Sequence, residues 1–383
     1  MLSLFVLGLG ALTVSAAEGP DAAVALREKV SPAVLTLYSV DPRFQWPSYQ
    51  GSGFLISEDG ILVTARHVSE SESDLFAVTA DGRKFEVTGF FGEDRDYDIA
   101  VLKIDGKALP HLTLATYPLP QTNQWVAVVS PETNGGTLCA TGLVRSVPAL
   151  QDLWEVISTS IQMRHGQSGS PLLDESGAVL GVVSGLDDES HGSAMPVKIV
   201  RRLLPKDEAP VPFSQRPRHG DSLPLVGDKE FRTIVLTLSR DDWRHGQKQL
   251  QHIAGRFPES PTVQLLLGAA CIKSESWKQA YEALTKVVRL RPESGLAWYL
   301  LGVASAGHGR YEESDLALKK SIKLGFPNPE QLTSAWELMA LNNAQRRNLN
   351  GLKEAMENLK RLDPSEASAC ARRIQHDFPG ITW

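Results

Sequence analysis

From Val30 to Leu204 the apolar residues come in short runs, several alternating with polar positions and broken by turn residues. A period of two marks half-buried β-strands. Gly51–Ser57 and Gly60–Val68 read as two strands around a Glu58-Asp59-Gly60 turn, with His67 at the end of the second. Ile99–Ile104 and Val179–Val183 read as further strands. Past Leu204 the pattern breaks. Pro205, Pro210, Pro212, Pro217 and Pro224 lie close together among charges and Gly, which predicts an extended, semi-rigid linker over residues 205–226. Beyond it the chain repeats itself. Trp243 to Ser260 aligns with Trp277 to Ser294 at an interval of 34 residues, and Trp277 to Tyr311, Gly268 to Gly302 and Leu284 to Leu318 span the same interval. A degenerate further unit ends at Leu362-Asp363-Pro364, four residues out of register. Such a period predicts stacked helix hairpins, with Gly268, Ala280 and Gly302 letting paired helices approach and Leu267, Leu284, Leu301 and Leu318 filling the core.

Composition narrows the class. Among 383 residues, 42% are hydrophobic and 22% charged, ordinary for two or three globular domains. A net charge of −6 without a basic stripe excludes nucleic acid as a partner. Cys139, Cys271 and Cys370 are far apart and odd in number, which argues for buried thiols rather than a disulfide framework or structural zinc. No residue set points to a metal or a cofactor. Leu2 to Ala17 is an apolar run ending in small residues, read as a secretory signal peptide over 1–17 that sends the chain to the periplasm or outside the cell. No Lys or Arg precedes that run.

The candidate chemistry lies in the first half. Gly166-Gln167-Ser168-Gly169-Ser170-Pro171 places a serine between glycines. A serine hydroxyl needs a base to take its proton, and the oxyanion formed on attack needs backbone N–H donors beside it. Gly166 permits a turn that aims its own N–H and that of Ser168 into one hole. His67 can serve as the base and Asp98 as its orienting acid, in chain order His, Asp, Ser. Asp94 and Asp96 share the loop. Asp98 is preferred because it abuts the Ile99–Ile104 strand, with Asp96 the fallback.

These pieces together resemble the protease domain of the HtrA/Deg family of trypsin-fold serine peptidases, over about Val30 to Leu204. The matching stretches are Val30–Val34, Gly51–Phe54, Thr64–Val68, Asp98–Ile104, Gly166–Leu172 and Gly192–Val197. Gln167 replaces the family's usual Asn, Ser170 its second Gly, and Arg164-His165 also departs. The resemblance implies Ser168 as nucleophile, His67 as general base then acid, Asp98 as orienting acid, and Gly166 and Ser168 as oxyanion donors. It also places Gln162 near the floor of the specificity pocket, where a neutral amide disfavours Lys and Arg, and gives Ser184 and Gly185 to backbone pairing with an extended substrate. Small or medium aliphatic P1 side chains are the expectation.

The 34-residue period, with Trp298-x-x-Leu301-Gly302 and a Pro closing the second helix, resembles the tetratricopeptide repeat. The expected architecture is therefore multidomain: an all-β, trypsin-like double six-stranded barrel over 18–204, the linker over 205–226, and an all-α tetratricopeptide-repeat array over 227–383. The expected function is an exported serine endopeptidase acting on unfolded proteins, its repeats recruiting a protein substrate or partner. The alternative is a chaperone-like or scaffolding protein whose protease domain is slow or regulated. A homo-oligomer is compatible with either.

Overall fold

A computed structural model of the chain describes residues 20–40, 47–70, 74–116, 119–132, 136–146, 150, 153–186, 191–205, 208–217, 225–326 and 329–382. The expected signal peptide lies outside the described residues. The chain divides into two compact units, residues 1–147 with 156–222, and residues 148–155 with 223–383.

The first unit opens with helix α1 (Pro20–Val30) and continues as two antiparallel barrels. Strands β1 (Val34–Val40), β2 (Pro47–Leu55), β3 (Ile61–Ala65), β4 (Asp74–Thr79), β5 (Lys84–Asp94) and β6 (Ile99–Ile104) run in the order β5-β4-β1-β2-β3-β6, and β5 pairs with β6 to close the ring. Strands β7 (Trp125–Pro131), β8 (Thr137–Ser146), β9 (Ile157–Gln162), β10 (Pro171–Leu173), β11 (Val179–Leu186) and β12 (His191–Pro196) close the second ring in the order β10-β11-β12-β9-β8-β7. This is the expected double six-stranded barrel. Alternation drives it: on β4, Leu75, Ala77 and Thr79 are buried while Asp74 is exposed. Leu35, Leu37, Leu62 and Leu102 fill the first barrel, and Val126, Val128, Ile157 and Leu172 the second. The β2–β3 hairpin turns at Gly60, whose φ of +100° suits glycine and whose Cβ would strike the carbonyl of Ile104. After helix α2 (Val197–Leu203) the chain returns to the first barrel.

That return corrects the expected linker. Strand β13 (Val211–Pro212) pairs with β5, and Phe213 is 5% exposed within the first barrel's core. Arg216 is buried, stacks over the Phe213 ring at 3.7 Å and donates through Nε to the carbonyl of Ser69 at 3.2 Å. Proline tolerates an edge strand because only its missing N–H is forfeited, and the apolar Val211 and Phe213 draw the segment onto the barrel. Phe213→Ala should therefore cost the first unit about 3 kcal/mol, read as a lower urea midpoint. An unchanged midpoint would restore the free linker.

Residues 148–155, between β8 and β9, group with the second unit. Leu150, Leu153 and Trp154 are buried, and Trp154 meets the Phe231 ring edge-on at 5.0 Å. This stretch is too apolar for an exposed hairpin loop.

The second unit is otherwise helical: α3 (Lys229–Ser239), α4 (Trp243–Arg256), α5 (Pro261–Lys273), α6 (Trp277–Leu290), α7 (Gly295–Gly307), α8 (Tyr311–Leu324), α9 (Pro329–Gln345), α10 (Leu349–Leu362) and α11 (Pro364–Asp377). One repeat is one helix pair. Ser260 and Ser294 cap α5 and α7 in the same way, each accepting an N–H three residues on. Asp241, Glu275 and Gly309 occupy equivalent positive-φ turns 34 residues apart, and Arg347 occupies the next. Helix α9 has 17 residues where α5 and α7 have 13, so the four-residue slip seen in the sequence is one added helical turn. Side chains at Gly268 and Gly302 would collide with Leu284 and Leu318. Leu284 and Leu318 are fully buried and Leu301 nearly so, whereas Leu267 is only half-buried and Leu266 takes its place inside. Burial pushes the thiols of Cys271 and Cys370 up to about 11 and about 12, as for inert core cysteines.

Candidate active site

His67 lies on the short helical turn Arg66–Ser69 that ends β3, and Asp98 at the turn just before β6. Strands β3 and β6 pair, Ala65 opposite Ile99, so the two turns emerge side by side. Asp98 takes a positive φ of 53°, a conformation an aspartate tolerates better than most side chains. Its carbonyl accepts the Arg66 N–H at 2.9 Å, its Oδ1 the His67 backbone N–H at 3.0 Å, and its Oδ2 meets His67 Nδ1 at 2.5 Å. The Ser184 hydroxyl, fully buried on β11, donates to the same Oδ2. Asp98 is wholly enclosed, so these donors replace the water it has lost.

The imidazole edge is open to solvent, with the His67 side chain 39% exposed. Burial of its body lowers the pKa, but the hydrogen bond and charge of Asp98 outweigh that and leave it raised above 6.5. With Nδ1–H directed at a carboxylate, the Nε2 lone pair is available to accept a proton. The rival aspartates go elsewhere. Asp94 caps the N–H groups of Asp96 and Tyr97 and pairs with Arg202, and Asp96 is buried beside it.

Ser168 comes from the second barrel and is pinned against the first. Its carbonyl accepts the Ser52 N–H at 2.9 Å, and the Ser52 hydroxyl donates to the Gly166 carbonyl at 2.8 Å. Glycines make the approach feasible. A Cβ at Gly51 would crowd Val68 and the Ser168 carbonyl, and one at Gly169 would collide with the Ser52 carbonyl. Gly166 and Gly169 take φ of +93° and +88°. The Ser168 N–H has no acceptor among the described residues, as a donor reserved for an oxyanion requires.

Between them Gln167 is 6% exposed and acts as an anchor. Its Oε1 accepts the Arg164 N–H at 2.7 Å, and its Nε2 donates to the Ser130 hydroxyl on β7 at 2.9 Å. The sequence shows Gln167 only as a departure from the family pattern, and its burial and the role of Ser130 show only in the fold. Gln162 is exposed at the end of β9, in register with His191 of β12. The β11–β12 register shifts between Val183 and Leu186, the stretch holding Ser184 and Gly185. The Ser184 hydroxyl is committed to Asp98. Among the described residues no cluster of His, Cys, Asp and Glu could hold a metal ion.

A trypsin-like peptidase domain matches residues 51–182. Over 147 residues the chain is 34% identical to a protein of Halomonas elongata named as a probable periplasmic serine endoprotease, DegP-like, covering 37% of this chain and 30% of that one. It is 32% identical over 171 residues to the putative serine protease HhoA of Synechocystis, covering 42% of this chain and 43% of the relative. The HtrA-type protease AlgW with a decapeptide superposes with a TM-score of 0.43 and 24% identity over 47% of this chain and 66% of that one. The chain spans less than half the length of these curated relatives. The matched residues 51–182 are similar to a trypsin-like peptidase domain, and this part of the chain is similar to the DegP-like and HhoA proteins.

Proposed function

We propose that this trypsin-like peptidase domain makes the chain an exported serine endopeptidase that cleaves unfolded proteins, with the helical unit as a tetratricopeptide-repeat array that recruits substrate or a partner. The observation that carries the reading is the fixed pairing of His67 with an enclosed Asp98, beside a Ser168 held on a turn with an unused N–H. In that arrangement His67 Nε2 takes the Ser168 proton as Oγ attacks the scissile carbonyl. Asp98 holds the tautomer and stabilises the imidazolium, and the N–H groups of Gly166 and Ser168 receive the oxyanion. The imidazolium then protonates the leaving amine, and water repeats the sequence on the acyl-enzyme. Export rests on the apolar leader and on the periplasmic naming of the relatives.

The division of labour is tested with two substrates. A chain ended after Pro217 keeps Phe213 and Arg216, and Leu153→Ser with Trp154→Gln removes the apolar side chains that would lose their cover. That chain should turn over a short chromogenic peptide at the full-length rate but cleave a cognate unfolded protein more slowly, because the second contact that raises local substrate concentration is gone. Equal loss on both substrates would assign the helical unit to holding the catalytic unit active. No loss on either would remove the recruiting role.

A further inference from the structure

Arg66 precedes His67 in the chain and is the largest of the fully buried side chains among the described residues, 1% exposed. A guanidinium cannot shed its charge, so burying one is costly unless carboxylates surround it. Here they do. Arg66 Nη1 pairs with Glu70, and its Nε lies 3.8 Å from Asp98 Oδ1, the oxygen that also accepts the His67 backbone N–H. Glu93 on β5 completes the group. Burial pushes it up to about 7, the Arg66 charge pulling it back and Glu70 and Asp94 adding to the rise against Arg95. The cation therefore lies against the Asp98 oxygen that receives the His67 backbone N–H. The Glu70 and Glu93 carboxylates also feel its charge.

The arrangement has a consequence for the base. His67 must be unprotonated to accept a proton from Ser168, and each carboxylate nearby favours the imidazolium. Asp98 and Glu70 both act in that direction, and Arg66 opposes them. We propose that Arg66 is a positioning residue of the triad: its buried charge, 3.8 Å from Asp98 Oδ1, holds that carboxylate in place and offsets the surrounding carboxylates, so that His67 gives up its proton at a lower pH than those carboxylates alone would allow. This rests on the peptidase reading for its use, but the charge effect itself is measurable without turnover. A buried salt bridge seldom adds net stability against an apolar replacement, which favours a role in tuning the site.

The test titrates His67 by NMR in the full chain carrying Ser168→Ala, with labelled histidine and His67→Gln to identify the resonance. Arg66→Met should raise the His67 midpoint by about half a pH unit or more, the expected scale for a charge removed at this range. Arg66→Lys should keep most of the parent value. Because Arg66→Met strands Glu70, the comparison is repeated between Glu70→Gln and Glu70→Gln with Arg66→Met, where the double variant should again titrate higher. With Ser168 restored, the acid limb of kcat/KM should move the same way. A His67 midpoint unchanged by the loss of Arg66 in the Glu70→Gln background overturns the proposal. An absent peptidase activity with the expected NMR shift would instead contradict the functional reading alone.

Discussion

Ser168→Ala should abolish cleavage of unfolded casein, with a loss of about 10⁶-fold in kcat on the scale known for a lost triad nucleophile. The fold should not notice. The interactions of residue 168 with the first barrel run through its carbonyl, accepted from Ser52, and the tight approach is set by the flanking glycines rather than by Oγ. Thermal and urea midpoints of the variant should match the parent's. A variant with parental activity would put the nucleophile elsewhere, and one that unfolds would leave the loss of activity uninformative about chemistry.

Asp98→Asn should lower kcat on the order of 10⁴-fold while KM changes little. The substitution keeps an oxygen for the His67 backbone N–H, but the amide NH₂ takes the place of Oδ2, where the Ser184 hydroxyl must turn to accept from it and where it faces Nδ1 and forces the tautomer whose Nε2 already carries a proton. Such an imidazole cannot accept from Ser168. Asp94→Asn and Asp96→Asn are the controls. Asp94 serves the loop N–H groups and Arg202, so its replacement should cost stability before it costs rate. If Asp96→Asn produced the large kinetic loss and Asp98→Asn did not, the assignment within the loop would fall.

The sequence made the barrels and the three candidate residues visible for one reason: each lies at the end of a locally patterned strand. His67 follows β3, Asp98 precedes β6, and Ser168 sits in a glycine turn before β10. Strand periodicity and turn glycines are short-range signals, and pairing β3 with β6 does the rest. The hairpin repeat was legible in the same way, because equivalent caps and turns recur at one interval. What stayed hidden was long-range. Nothing local marks Ser184 as a donor to a carboxylate 86 positions earlier, or Gln167 as reaching Ser130 across 37. The proline-rich stretch reads as a linker because proline count reports the local backbone, whereas the partners of Phe213 and Arg216 lie in the first barrel. Residues 148–155 are silent for the same reason: the partner of Trp154 is Phe231, 77 positions on.

Arg66 and Gln167 sit inside motifs whose neighbours carry the candidate chemistry, but their own side chains do not react. Each is buried and hydrogen-bonded or ion-paired to a group that positions the chemistry. The physical cost of burying a charge or an amide next to a reactive turn is the signal that sequence pattern alone does not display.

The most direct measurement is the site of covalent capture. The full chain is treated with a fluorophosphonate, which reacts with a serine only when a base has activated it, and the modified peptide is located by mass spectrometry. The account predicts one adduct, on Ser168, formed slowly or not at all when His67 is changed to Gln or Asp98 to Asn. No adduct on the folded parent chain, or an adduct on another serine that persists in the His67→Gln variant, would contradict it.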